Sequence, residues 1–444
     1  MGRTSRVRRR LHRKSTHEEG NFLPDLYKYM HSKGWKNESQ LTVRDFSETG
    51  RGICYKQTQI NNHDNIIIKV PIKSFITIAT LETDDDFKQV FSSVEFSEEN
   101  RINFQELLAL YLCYQNHLQQ RSPLYAYLQT IPRSFTNPYF CTLDEMRCLP
   151  EELLEKIIAQ KTTIKTSYAN LRKILATNHC ACCGLHFLDV TFTIQLYEWA
   201  YFAVNSRTVH LSTNYVTTNN GVFFKKLLNN APTMALAPFL DMANHSDKIN
   251  TCPMVIANDK NELEFMIKLE RSSLPTKPFE QLYISYGMCT NFRLLTDYGF
   301  SLPGNRHEVF TITLSDIEKF IKAGKNGYGY SFHRNKFKFI RDHNLHDAML
   351  IIFDEGMSHN LHLVLHLLFK VESYFPNILS EIAFGDAQQL ADVQLELNLL
   401  LEYKISEYTT FLQQLSRLNT LTASATMAKN YLTECIEFLK MYIS

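Results

Sequence analysis

Apolar and polar positions repeat along this chain with two different periods, and the period changes in blocks. Residues 22–34 have helical spacing, with Phe22, Leu26, Tyr27 and Met30 on one face. The next block reads as strands. Gly50-Arg51-Gly52-Ile53-Cys54 precedes the β-branched run Ile66-Ile67-Ile68-Lys69-Val70, Pro71 ends that run, and a second run follows over Phe75–Ile78. Short β-rich segments broken by Gly and Pro predict a small, irregular sheet. From about residue 98, Phe104, Leu107, Leu108, Tyr111, Leu112 and Leu118 recur at helical spacing. Residues 150–178 and 191–204 also read as helices, the first opening on Pro150-Glu151-Glu152. Residues 234–300 return to strands, with the alternating stretch Met254–Ile267 and then Gln281–Tyr286. From about 310 to 444 the pattern is mostly helical, above all over 342–373 and 386–442. The order is sheet, helices, sheet, helices, with no series of βαβ units, so the expected class is α+β.

At 444 residues with 44% hydrophobic and 21% charged side chains, the chain is expected to hold about three units and to bury a large core. The profile excludes collagen-like, coiled-coil and wholly disordered classes. No apolar run approaches the ~18 residues of a membrane span, and the basic N-terminus lacks the apolar stretch of a secretory signal. The ten scattered cysteines are then expected to be reduced thiols, as in a cytosolic or nuclear protein. The net charge of +1 hides an asymmetry. Residues 1–14 carry seven Arg or Lys and no acid, which leaves about −6 for the rest. The basic tail, counted as residues 1–20, is expected to be disordered and to serve as a nuclear import signal or nucleic-acid tether. The body has no basic excess, so nucleic acid enters at most through that tail.

Several familiar sites are absent. The chain has no G-x-x-x-x-G-K-[ST], no G-x-G-x-x-G opening a helix, no H-E-x-x-H and no G-x-S-x-G. The stretch His179-Cys180-Ala181-Cys182-Cys183-Gly184-Leu185-His186 has zinc-ligand residue types. Its spacing is tight and no second Cys-x-x-Cys lies nearby. It reads as a loop with incidental thiols, and no metal site is expected.

Three separated segments stand out together. Gly50-Arg51-Gly52 lets a backbone approach a ligand closely. In Ala237–Ser246 an apolar lead-in through Asp241 runs into Asn244-His245-Ser246. Ile284-Ser285-Tyr286-Gly287 delivers a tyrosine at a strand end, and Asn291, Leu294-Leu295 and Asp297-Tyr298-Gly299-Phe300 follow. Each segment alone is an ordinary turn or core element. In this order, they resemble the SET-domain protein methyltransferases, and within them the branch typified by the Rubisco large-subunit lysine methyltransferase. Pro123–Pro132 and Val204–Val209 are weaker matches in the helical block.

The resemblance implies a β-rich SET domain over 41–300, split by a helical insert at about 95–230, and an all-helical substrate-binding domain over 305–444. It implies methyl transfer from S-adenosylmethionine to a lysine of a protein substrate, histone tails and other nuclear or cytosolic proteins being the expected targets. Tyr286 and Tyr298 become the catalytic candidates. Gly50, Arg51, Gly52, Arg207, Asn244, His245 and Tyr286 become the cofactor-binding set, and Asp241 and Tyr298 the substrate-binding pair. The cysteine-rich zinc segment of chromatin enzymes cannot form here, because Cys289 is the sole cysteine between residues 253 and 434. The expected location is nucleus and cytoplasm, with no membrane partner. Two alternatives stay open: a protein-histidine methyltransferase of the same branch, and a non-catalytic protein-binding SET module. By that resemblance the histidine enzyme's pattern in the insert runs Thr-Arg-Gln-Asn, its asparagine contacting the imidazole, whereas this chain has Ser206-Arg207-Thr208-Val209 with no amide there, which favours lysine.

Overall fold

The computed structural model describes residues 22–56, 66–94, 97–216, 223–270, 273–275, 277–324, 330–385 and 390–444. The basic N-terminal tail lies outside the described residues. The chain divides into two compact units, one of residues 22–135 and 160–286, the other of 136–159 and 287–444. The class is α+β.

The first unit opens on α1 (Leu23–Ser32), whose Leu26 and Met30 are buried. β1 (Leu41–Phe46) and β2 (Gly50–Tyr55) form an antiparallel hairpin with Phe46 opposite Gly50. Gly50 has φ of 71°, a left-handed conformation that glycine adopts without a steric penalty. The β-branched run becomes β3 (Ile66–Pro71). The second run, expected as a strand over Phe75–Ile78, makes only one bridge, Ile76 to Leu236. Ile78–Glu82 turns helical instead, because the Thr80 hydroxyl accepts from the Thr77 N–H and closes a helix start.

The helical block holds α2 (Phe104–Leu118), α3 (Glu151–Ile174), which residue 160 divides between the units, and α4 (Ile194–Arg207). Asn103 and Glu106 cap the start of α2 reciprocally, at 2.9 and 2.8 Å. Every residue from Leu107 to Tyr114 is buried. A helix covered all round is a core helix, not an amphipathic surface one.

Past α4 come β4 (Thr208–His210), β5 (Met234–Leu236), β6 (Asn244–His245), β7 (Thr251–Ala257), β8 (Leu263–Leu269) and β9 (Gln281–Ile284). They complete three sheets, ordered β1-β2-β9-β6, β3-β8-β7 and β4-β5. β6 and β9 run parallel, with Asn244 beside Tyr283 and His245 beside Ile284. The alternating stretch 254–267 is two strands, since Asn258 accepts from the backbone of Lys260 and Glu262 and folds the chain into a hairpin.

The second unit packs helices around one core. These are α5 (Leu314–Lys322), α6 (Tyr330–Asp342), α7 (His359–Phe369), α8 (Pro376–Phe384), α9 (Gln394–Arg417) and α10 (Ala423–Lys440). Ile317, Phe337, Leu361, Leu365, Leu401 and Leu432 are among the buried residues. This region is helical but not wholly so. β10 (Val309–Thr311), β11 (Leu350–Ile352) and β12 (Gly356–Met357) form a small sheet, and the last two lie where helix is expected over 342–373. Asp354 and Gly356, at φ of 61° and 81°, make the turn that no helix accommodates. The long stretch 386–442 also breaks, where Thr422 caps α10 by accepting from the Ala425 N–H.

Candidate active site

The first unit brings the separated motifs together along the sheet β1-β2-β9-β6. Gly52 lies where any side chain would collide: a Cβ there would stand 2.5 Å from Gln281 Nε2 and 3.0 Å from Asn244 Nδ2. Thr49 donates to Gln281 Oε1 at 2.7 Å, and Asn244 Nδ2 donates to the Arg51 carbonyl at 2.9 Å. Arg51 reaches across to donate to the Thr130 carbonyl at 2.9 Å. The Gly-Arg-Gly strand is therefore held by Asn244 of the second motif segment, by Gln281 beside Gly52 and by the Thr130 carbonyl.

His245 and Tyr286 form a second pairing. The Tyr286 N–H donates to His245 Nδ1 at 3.0 Å, and the two rings stack at 5.1 Å and 23°. With Nδ1 accepting, the neutral imidazole carries its proton on Nε2. The Tyr286 hydroxyl donates to the Ala243 carbonyl at 2.8 Å. A phenol whose proton is committed offers its lone pairs to whatever else approaches it. The parallel register of β6 and β9 sets this geometry, because it carries His245 to the end of the strand that delivers Tyr286.

Arg207 is the last residue of α4, where a cation also meets the negative end of the helix. Its Nη1 donates to Asp241 Oδ2 at 3.1 Å and to the Asp241 carbonyl at 3.2 Å. Tyr127 donates to the same Oδ2 at 2.9 Å. The Asp241 side chain has no exposed surface, and that of Arg207 is 16% exposed. Burial disfavours the Arg207 cation, but the adjacent Asp241 carboxylate outweighs it and holds the guanidinium pKa above its ordinary value. Asp241 sits in a 3-10 turn entered through Phe239 at φ of 72°, a conformation held by packing against Trp35 at 4.6 Å.

Tyr298 belongs to the second unit. It ends a π-helical turn, Leu294–Tyr298, that Gly299 terminates at φ of 84°. Thr136 and Asn137 hold this turn by donating to the carbonyls of Gly299 and Thr296, at 2.7 and 2.9 Å. Burial, with Cys289 second, raises the Tyr298 phenol above its ordinary pKa. Asn291 is structural: its side chain bonds the Leu302 backbone in both directions, at 2.9 and 2.8 Å.

Comparison with solved structures decides the architecture. The SET domain of LSMT, in a crystal structure bound to lysine and AdoHcy, superposes with a TM-score of 0.58 at 16% identity, covering 95% of this chain and 90% of that one. Rubisco LSMT bound to AdoMet superposes at 0.57 and 17% identity, over 95% and 91%. The fold is that of the SET domain. No family model matches the chain. Among curated proteins, the SET domain-containing protein 4 of Artemia parthenogenetica is 25% identical, covering 94% of this chain and 96% of that protein. Its human namesake is 24% identical over 99% and 96%. The mouse actin-histidine N-methyltransferase is 24% identical over 66% of this chain, and the match spans 45% of that protein.

Within the SET fold, the structure adds residues that the sequence motifs did not single out as part of a site. Tyr127, Thr130 and Gln281 hold Asp241, Arg51 and the neighbourhood of Gly52 respectively. The one available signal was the weak match over Pro123–Pro132, which contains the first two.

Proposed function

We propose that this protein is an S-adenosylmethionine-dependent protein-lysine N-methyltransferase. The observation that carries the proposal is the convergence in one unit of the Gly50–Gly52 strand, Asn244-His245, Arg207 and Tyr286, on a fold whose solved counterparts include one bound to AdoMet and one bound to lysine and AdoHcy.

The residues present fit the cofactor. Arg207 Nε and Asp241 Oδ1 are buried and meet no hydrogen-bond partner among the described residues. A buried guanidinium N–H without an acceptor is costly, and an amino-acid carboxylate is the acceptor such a fork suits. Arg207 would hold that carboxylate, with Asp241 and Tyr127 positioning it. The Gly50–Gly52 backbone would line the site together with Asn244 and His245, since Asn244 already bonds the Arg51 carbonyl. When bound, S-adenosylmethionine supplies a methyl group activated on a sulfonium.

The substrate amine must lose its proton before it can attack. Lysine has a reference pKa of about 10.4, so neutralising it near pH 7.4 requires about 3 pK units, or roughly 4 kcal/mol. Desolvation and a nearby cation both lower that pKa, so no strong base is required. What remains is alignment. Tyr286 presents its oxygen as an acceptor, with its proton held by Ala243, and can take weak C–H···O contacts from a polarised methyl. Tyr298 is the second candidate, to line the lysine channel, on resemblance alone. Lysine is favoured over histidine because Thr208-Val209 offers no amide to an imidazole. Histone tails reached through a nuclear route guided by residues 1–14 are the substrate class proposed here.

The first test is calorimetry of the purified chain with S-adenosylmethionine. Saturable one-to-one binding is expected, and the absence of binding overturns the proposal.

A further inference from the structure

We propose that His117, Cys180, Cys182 and Cys183 together bind one zinc ion, at a structural site in the helical block of the first unit. The segment between α3 and α4 folds on itself. The Cys180 N–H donates to the Leu185 carbonyl, and the Gly184 N–H donates back to the Cys180 carbonyl, both at 2.8 Å. Gly184 takes φ of 70°, which tightens this loop. The result is a small knuckle that gathers three thiols, with the Cys180 and Cys182 sulfurs 3.1 Å apart. The fourth group comes from elsewhere. His117, in the last turn of α2 and 66 residues before Cys183, brings its Nε2 to 3.6 Å from the Cys183 sulfur.

All four ligand atoms lie within 4.8 Å of one another. In a tetrahedral zinc site, bonds of about 2.3 Å to sulfur and about 2.0 Å to nitrogen set ligand atoms roughly 3.5–3.8 Å apart. The cluster is therefore within a small side-chain adjustment of that geometry. Three thiolates and one imidazole select a borderline-soft ion such as zinc over magnesium or calcium. Four protein ligands leave no open position, which marks a structural rather than a catalytic site.

Charge supports the same assignment. Three thiolates around a dication leave a net charge of about −1 at the site. Arg121 lies beside it, with Nη2 at 3.6 Å from the Cys182 sulfur and Nη1 at 3.4 Å from the Cys182 carbonyl. A guanidinium there neutralises the excess and orients a ligand, as outer-shell partners of metal sites do. The histidines flanking the knuckle have other work. The His179 and His186 rings meet edge-on at 5.8 Å, their backbones pair as a β-bridge, and His186 Nε2 contacts the Ala176 carbonyl at 2.7 Å, while neither belongs to the four-residue ligand cluster. The local octapeptide alone thus suggests the wrong histidines.

The test uses the full, untagged chain, purified under reducing conditions with zinc present and then dialysed. Elemental analysis is expected to find about one zinc per chain, and exchange with cobalt(II) to give the intense visible bands of a tetrahedral thiolate site. The C182S/C183S variant is expected to lose both signals. If that variant does not fold, the cobalt spectrum of the wild-type chain still decides. A wild-type chain that emerges metal-free with all three thiols reactive, or with Cys180 and Cys182 joined in a disulfide, overturns the proposal. So does a cobalt spectrum without tetrahedral bands.

Discussion

At Tyr286 one hydrogen bond determines what the phenol can do. Its proton goes to the Ala243 carbonyl, its backbone N–H goes to His245, and its ring lies on the imidazole. Removing the hydroxyl leaves the stacking and the backbone bond in place. Tyr286→Phe is therefore expected to keep the fold and the affinity for S-adenosylmethionine, while methyl transfer slows by about tenfold or more. Single-turnover kinetics beside calorimetry separates the two. An unchanged transfer rate would remove Tyr286 from the mechanism. At this scale the sequence was informative wherever neighbours in space are neighbours in the chain. Asn244-His245 and Gly50–Gly52 are contiguous in the chain, so they could be noticed as segments, though only in combination with each other. The Arg207–Asp241 pair and its Tyr127 support could not be paired from the sequence, since nothing local reveals which partner, 34 or 114 residues away, a charge will meet.

Among elements, the π-helical turn carrying Tyr298 depends on a buried carboxylate. Glu308 Oε2 accepts from the Asn291 N–H at 2.9 Å, next to the Asn291 clamp on Leu302. Burial raises the Glu308 pKa from 4.5 to about 7, against the lowering effect of Asn291 and Asn305. A carboxyl that holds its proton more tightly folded than unfolded stabilises the fold fully below pH 4.5, and that contribution is lost as pH climbs through about 7. Denaturant titrations across that window are expected to show a falling contribution that Glu308→Gln removes. A wild-type and variant pair with parallel pH profiles would refute the assignment. Element legibility followed length. α2, α3, α9 and α10 are long enough for their period to be read. β11 and β12 have three and two residues, too few to establish an alternation.

For the whole molecule, the near-zero net charge divides into a basic tail and a body at about −6. An acidic body suits a cationic, lysine-bearing substrate, and the tail suits nuclear import; both belong to the proposed function. The SET architecture was legible only through three motifs taken in order, since periodicity alone yields no more than an α+β class. The small sheet of the second unit and the ligand set around His117 depend on contacts that no single segment encodes. One fold counterpart is bound to lysine, while sequence relatives from several animals are named for histidine, so the identity of the modified residue decides between the two.

The measurement that tests the central claim most directly is transfer of an isotope-labelled methyl group. Purified protein and labelled S-adenosylmethionine are added to nuclear and cytosolic lysate, and the modified residue is identified by mass spectrometry. The account predicts label on the side-chain nitrogen of a protein lysine, with the signal reduced for Tyr286→Phe. Label on histidine, or no protein-bound label from a chain that binds the cofactor, would contradict it.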